Sequence, residues 1–296
     1  MQAKPPTKFY LLLTIAMVTW GFAWPSGKAI AGMEPAPVII FWRFLLTAIT
    51  LLPVILIKGK SIRLTQFSEY RDVLLGAILY TVYNQFFLYG LENGLAGAGG
   101  VLVTTLNPII TYILVLSLAR RLPTIQVALG LTLGLIGGCI LLRVWEISLE
   151  ALFATGNIYF LLAAFFWAML SMNSHSSGSK VSPEVYGFYV YSIGTLIDFA
   201  FAIPYGIFHV FEQDILFWSQ VSYLAIVSTT FGTTVYFFAA SRLGSRRASS
   251  FIFLVPVTAL FGSWIFLNEI PSISTVLGGV FAILAVTILN SKREEF

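Results

Sequence analysis

The sequence predicts an all-α integral membrane protein. Ten transmembrane helices are expected, arranged as two inverted-topology five-helix repeats with both termini cytoplasmic. Three observations carry this. First, the chain of 296 residues is 58% hydrophobic, 16% aromatic and only 10% charged, with a mean hydropathy of +0.88. A soluble domain carries roughly 25% charged residues, so a water-soluble fold could not hide this much apolar surface. Second, the apolar residues gather into runs of about 20, long enough to cross a hydrocarbon core of about 30 Å. Third, the chain echoes itself. Pro108 recurs as Pro256, and at the same spacing Pro123 recurs as Pro271, Leu129-Gly130 as Leu277-Gly278, and Ile140-Leu141 as Ile288-Leu289. At almost that spacing, Ala16 and Trp20 fall on Ala163 and Trp167. Duplicated halves in so apolar a chain suggest a transporter.

The spans follow in order. Phe9–Ile30 lacks a small-residue cleavage site and reads as a retained first helix, not a removed signal peptide. Pro37–Ile57 follows a Pro-rich turn, and the polar link from Gly59 leads into Arg71–Leu91. Gly97–Leu118 and Thr124–Leu142 are separated by a basic turn ending in Pro123. After the link Arg143–Leu152 come Ala154–Asn173, a polar stretch over Ser174–Pro183, then Pro183–Tyr205, Phe217–Leu243, Ala248–Leu267 and Ser272–Leu289. Continuous runs of this length fit helices, whereas a membrane barrel would alternate over ten-residue strands. No soluble domain fits between them.

Lys and Arg set the orientation. Threading ten spans places Lys4, Lys8, Lys58, Lys60, Arg63, Arg71, Arg120, Arg121, Lys180, Arg242, Arg246, Arg247, Lys292 and Arg293 on the side of both termini. The other side holds only Lys28 and Arg143, with Glu34, Glu92, Glu146, Glu150, Glu212, Asp214 and Glu269. Both termini are therefore expected in the cytoplasm of a cell (inner) membrane. Five spans per half turn the second half upside down. The link Ala96–Gly100 has no positive charge, while its repeat mate Gly244–Ala248 carries Arg246-Arg247. One element facing opposite sides is the mark of an inverted repeat. The units expected are residues 1–150 and 151–296.

Other classes are weakened by composition. The net charge of +4 sits in short loops, as topology requires, and is no nucleic-acid signature. The single Cys139 lies in an apolar run, so no intrachain disulfide and no thiol-based metal cluster is available. His175 and His209 lie near span ends, and neither metal nor cofactor is expected. No phosphate-binding Gly loop with Lys and Ser/Thr is present, so the chain is not itself an ATP-driven pump.

Several short motifs resemble the EamA branch of the drug/metabolite transporter superfamily. Trp20-Gly21, with Trp167-Ala168, resembles its first-helix Trp-Gly element, and Trp42-Arg43-Phe44 its second-span Arg-Phe element. The stretches Leu95–Pro108 and Leu243–Pro256 resemble the approach to its fourth-helix proline. Leu267-Asn268-Glu269-Ile270-Pro271 resembles its Gly-Glu boundary, with Asn replacing Gly; in the first half Arg120-Arg121-Leu122-Pro123 replaces the acid. The likeness covers about residues 10–290 and implies fold and transport without naming a cargo.

An inverted repeat puts the substrate site at mid-depth between its halves. Trp20 lies about 16 Å into the first span at about 1.5 Å per residue. Trp24 and Lys28 follow on nearly the same face, and Trp167, Ser171 and His175 are their counterparts. This stripe reads either as a cavity wall or as ordinary aromatic packing. Tyr80, Tyr83, Asn84 and Gln85 fall near the middle of the third span, with Thr233, Thr234 and Tyr236 as counterparts in the eighth. Amides in hydrocarbon need partners, which leaves cargo contact and helix–helix bonding both open. Asn107-Pro108 and Val255-Pro256 put kinks at mid-depth, and Pro25 could loosen the first span, as gating helices need. Arg43 and Asp198 are charge or coupling candidates, Asp198 being the acid well inside a span. Pairing between them, or of Asp198 with Lys28, stays open. Glu92 and Glu269 are expected to be solvated at helix ends.

The leading functional reading is a secondary transporter exporting small organic metabolites (amino acids, amphipathic or aromatic compounds) by alternating access around a central aromatic cavity. A gated pore for small solutes is the alternative. An intramembrane enzyme would need a nucleophile–base pair or clustered metal ligands that the chain does not offer. Its partners are a small-molecule substrate and the lipid bilayer, not nucleic acid, and monomer and homodimer both stay open.

Overall fold

A computed structural model describes residues 7–120, 122–143, 145, 156–178, 180–236 and 251–290. The Leu243 and Ala248 span ends, the Arg246-Arg247 loop, Arg121, Arg242, Glu146, Glu150, Lys4, Lys292 and Arg293 lie outside the described residues.

The described chain is helical: α1 (Thr7–Ile30), α2 (Ala36–Ile57), α3 (Phe67–Asn93), α4 (Ala96–Ala119), α5 (Ile125–Leu142), α6 (Asn157–Ser177), α7 (Pro183–Ala202), α8 (Ile215–Ser222), α9 (Leu254–Leu267) and α10 (Ile273–Asn290). α8 runs on as a π-helix over Tyr223–Thr233. Among the described residues, seven helices are long and apolar enough to cross a membrane: α2 to α7 and the combined α8 stretch Ile215–Tyr236. Leu254–Leu267 and Ile273–Ala285 are apolar but shorter. The stretch Ser174–Ser177, expected as part of a polar link, continues α6 as helix.

Local chemistry sets the helix ends. Pro37 stands in the first turn of α2, where its missing N–H costs no bond. Glu69 reaches back from the first turn of α3 to the amides of Thr65 (2.6 Å) and Gln66 (3.1 Å). Asp214 Oδ1 accepts from the Phe217 amide at 3.1 Å and caps α8. Arg120 and Arg143 end α4 and α5 in the left-handed region, at φ 50° and 49°.

The prolines differ in effect. Pro25 and Pro108 lie inside α1 and α4, and both helices continue through them. Pro256 was expected at mid-helix like Pro108. Instead it sits in the first turn of α9, just after a 3-10 turn over Phe251–Phe253. There its missing N–H falls among the unpaired amides of the first turn, whereas Pro108 lies inside α4.

Packing joins the two halves along their lengths. α1 lies against α9 and the π-helical stretch, α3 against α6 and α7, α2 against α7, α4 against α6 and α9, and α5 against α10. The core is buried among these helices, with Phe44, Phe160 and Phe217 inaccessible. Leu129, Leu135, Ile136, Leu277, Val280 and Leu284 on α5 and α10 stay exposed, as lipid-facing side chains do. Where α1 crosses α9 the approach is very close: a Cβ on Gly21 would lie 1.9 Å from Thr258 Oγ1.

Candidate functional site

The site is built on one face of α3. Thr81, Asn84 and Gln85 stand at i, i+3 and i+4, so all three point the same way. α2 brings Arg43 to this face and α7 brings Asp198. Arg43 Nη1 donates to Asn84 Oδ1 at 2.7 Å, and Asn84 Nδ2 donates to the Tyr80 carbonyl at 2.9 Å. Gln85 Nε2 donates to Asp198 Oδ1 at 2.8 Å, and Thr81 Oγ1 donates to Asp198 Oδ2 at 3.1 Å. Arg43, Asn84, Thr81 and Asp198 are all buried. Two opposite charges are thus held by neutral groups of the same helix and not by each other. The pairings of Asp198 with Arg43 or Lys28 left open by the sequence are not made.

Aromatic rings surround this face. Tyr80 stacks between Phe44 and Tyr83, at centroid distances of 5.4 and 5.6 Å and interplanar angles of 5° and 9°. Trp167 from α6 packs 4.8 Å from Tyr83 and 5.9 Å from Tyr80. Trp24 meets Phe87 at 4.9 Å and Phe160 at 6.0 Å, and the Arg43 guanidinium lies 5.9 Å from the centre of the Phe87 ring. Trp24, Tyr80, Tyr83 and Trp167, singled out in the sequence, therefore share one aromatic shell with Asn84 and Gln85.

Trp20 and Tyr236 form a separate pair with centroids 5.3 Å apart, in the smaller cluster of Leu13, Ala16, Met17 and Val255. The Trp20 indole donates to the Ser228 carbonyl at 2.9 Å. Ser171 turns back on its own helix and donates to the Trp167 carbonyl at 2.8 Å. Asn107 keeps its Nδ2 buried without a hydrogen-bond partner. The π-helical winding is matched by its threonines, since Thr229 and Thr230 donate five residues back, to the Leu224 and Ala225 carbonyls, at 2.7 and 3.1 Å. Such segments recur at functional sites.

Sequence reasoning missed Thr81, Phe87 and Ser228. Only Thr81 left a signal, its helical spacing from Gln85. Glu269, expected to be solvated at a helix end, is partly buried and has a further contact: its carboxylate accepts from the Ala96 and Gly97 amides at 3.1 and 3.0 Å, capping α4. A groove of about 320 Å³ lies between α4, α9 and α10, lined by residues such as Val101, Leu260, Phe261 and Trp264 and by no charged side chain.

In architecture the chain is a polytopic helical membrane protein with a charged, amide-lined helix face beside aromatic rings. The EamA-like transporter family model matches residues 7–143 and again 154–291. The chain belongs to the EamA-like transporter family and is a multi-pass membrane transporter. It is similar to the uncharacterized transporter YoaV of Bacillus subtilis, 22% identical over 91% of this chain and 93% of that protein. An uncharacterized transporter of Archaeoglobus fulgidus is 25% identical over 97% of this chain and its own full length, 100%. The WAT1-related protein At3g02690, chloroplastic, of Arabidopsis thaliana is 24% identical over 92% of this chain and 66% of that protein. A solved crystal structure shares the fold at a TM-score of 0.63 and 16% identity, covering 96% of this chain and 97% of that one.

Proposed function

We propose that the chain is a secondary carrier that exports a small organic metabolite, with the α3 face and its aromatic shell as the cargo site. It crosses the membrane ten times as two oppositely oriented five-helix units, residues 1–150 and 151–296, with both termini in the cytoplasm. The observation that carries the reading is the buried face Thr81–Asn84–Gln85, flanked by Arg43 and Asp198 and walled by Tyr83 and Trp167. Buried polar groups orient a cargo while rings cover its apolar body.

Two hydrogen bonds support the inverted arrangement. Ser26 Oγ donates to Gln220 Oε1 at 2.7 Å, joining α1 to α8. Asn173 Nδ2 donates to the Asp72 carbonyl at 2.8 Å, joining α6 to α3. Ser26 and Asn173 correspond at the repeat spacing, as do Asp72 and Gln220 to within a residue. Under the proposed topology the first contact closes the outer end and the second the inner end. The inner one is reinforced by Lys180 Nζ on Asp72 Oδ2 at 2.6 Å. Alternating access would release one contact while the other holds.

The test is counterflow in proteoliposomes. A carrier preloaded with unlabelled cargo accumulates labelled cargo transiently. A pore gives flux that does not saturate, and that outcome would replace the carrier reading. Trp167→Ala and Trp20→Ala should each lower counterflow at unchanged membrane expression.

A further inference from the structure

We infer that Arg43 anchors a carboxylate on the cargo, so that the substrates are small organic monoanions: a carboxylate on an apolar body of aromatic size. This rests on the transport reading above and names the substrate class of that same site. Arg43 is 7% exposed within a span of mean hydropathy 2.3. A guanidinium buried at such a place calls for an opposite charge or a full set of hydrogen bonds.

Arg43 has neither. Its one hydrogen bond goes to the neutral amide of Asn84. Its Nε is buried with no partner. The ion pairs among the described residues are Lys58–Glu184, Arg71–Asp72 and Lys180–Asp72, none of which involves it. Asp198, the buried acid on the same α3 face, accepts one hydrogen bond on each oxygen, from Thr81 and Gln85. Asp198 is thus met by two donors, whereas the Arg43 guanidinium has one acceptor and an unpartnered Nε, a shortfall that an anionic group fills and a cationic one does not.

The geometry suits a carboxylate in particular. Asn84 holds Nη1 and is itself fixed through the Tyr80 carbonyl. This leaves the Nε–Nη2 edge, whose two parallel N–H groups match the two oxygens of a carboxylate. Beside the guanidinium, Phe87 leads to Tyr83 at 6.0 Å and Tyr83 to Trp167 at 4.8 Å. The cation thus stands at one end of a continuous ring surface, charge at the head and apolar contact along the body.

The test uses the full chain with phenylacetate, its neutral isostere phenylacetamide, and phenethylamine. Thermal stabilisation of the purified protein gives apparent affinities, and counterflow follows in proteoliposomes. Phenylacetate should bind about tenfold or more tightly than phenylacetamide, since a charge-assisted bidentate pair is at stake. Arg43→Gln should erase that ratio, and Arg43→Lys, which keeps the charge without the fork, should retain part of it. Equal or tighter binding of the amide or the amine by the unaltered protein, or binding of none of the three, overturns the inference, and this comparison decides even if Arg43→Gln does not fold. Phenylacetate binding without any saturable counterflow would instead sink the transport reading and leave the anion site standing.

Discussion

The indole Nε1 of Trp20 donates to the carbonyl oxygen of Ser228 at 2.9 Å, so α1 of the first half is tied to the π-helical stretch of the second. Wide π winding turns carbonyls away from the regular ladder, and this one is taken by a ring from another helix. Trp20→Phe keeps the ring and loses the bond. A net hydrogen bond is worth about 1 kcal/mol, so transport should fall about fivefold at unchanged expression. Trp20→Ala should fall further, because the contact with Tyr236 goes too. Initial rates of labelled-cargo uptake check both.

Asn84 separates stability from recognition. Asn84→Ala removes the only hydrogen bond to a buried guanidinium, a loss of about 3 kcal/mol by analogy with broken buried pairs, and should lower the Tm in detergent. Asn84→Asp supplies a carboxylate at the same place. It should keep or raise the Tm while transport of an anionic cargo drops at least tenfold. A Tm for Asn84→Asp as low as that of Asn84→Ala would show that Arg43 does not depend on this contact.

Asp198 is the place to look for ion coupling. Asp198→Asn keeps the shape and removes the charge, and Gln85 can rotate its amide to meet the new side chain. Uptake driven by a pH gradient should be lost while counterflow, which needs no gradient, persists. Gradient-driven uptake equal to that of the unaltered protein would remove Asp198 from any coupling role.

The topology can be checked without a substrate. A tag at either end should be inaccessible to a membrane-impermeant reagent on intact cells and accessible after permeabilisation. Labelling of either end from outside would reverse the assignment made from Lys and Arg.

Helix positions were largely legible because bilayer-length apolar runs announce themselves. α2 begins one residue before the expected Pro37 and ends at the expected Ile57, since prolines and charges punctuate chain and helix alike. The need of Asn84 and Gln85 for partners was legible as well. Which partners was not: neighbours in sequence, they serve opposite charges, and that follows only from how α2 and α7 flank α3. The π winding had no sequence signal; the segment lies against α1 and α2, far away in the chain. The capping contact of Glu269 was not legible because its partners, the first amides of α4, lie far away in the chain.

The turn from α3 to α4 is gripped from two directions. Lys28 Nζ donates to the Leu91 carbonyl at 2.5 Å and to that of Glu92 at 3.3 Å, at the end of α3. Glu269 holds the first amides of α4. Cation on the last carbonyls and anion on the first amides match the polarity of each helix end. The hairpin of α3 and α4 is thus a door with two locks on one edge, one turned by α1 and the other by the turn between α9 and α10. Freeing one contact leaves the other in place. Displacing the hairpin would break contacts supplied by both halves of the chain.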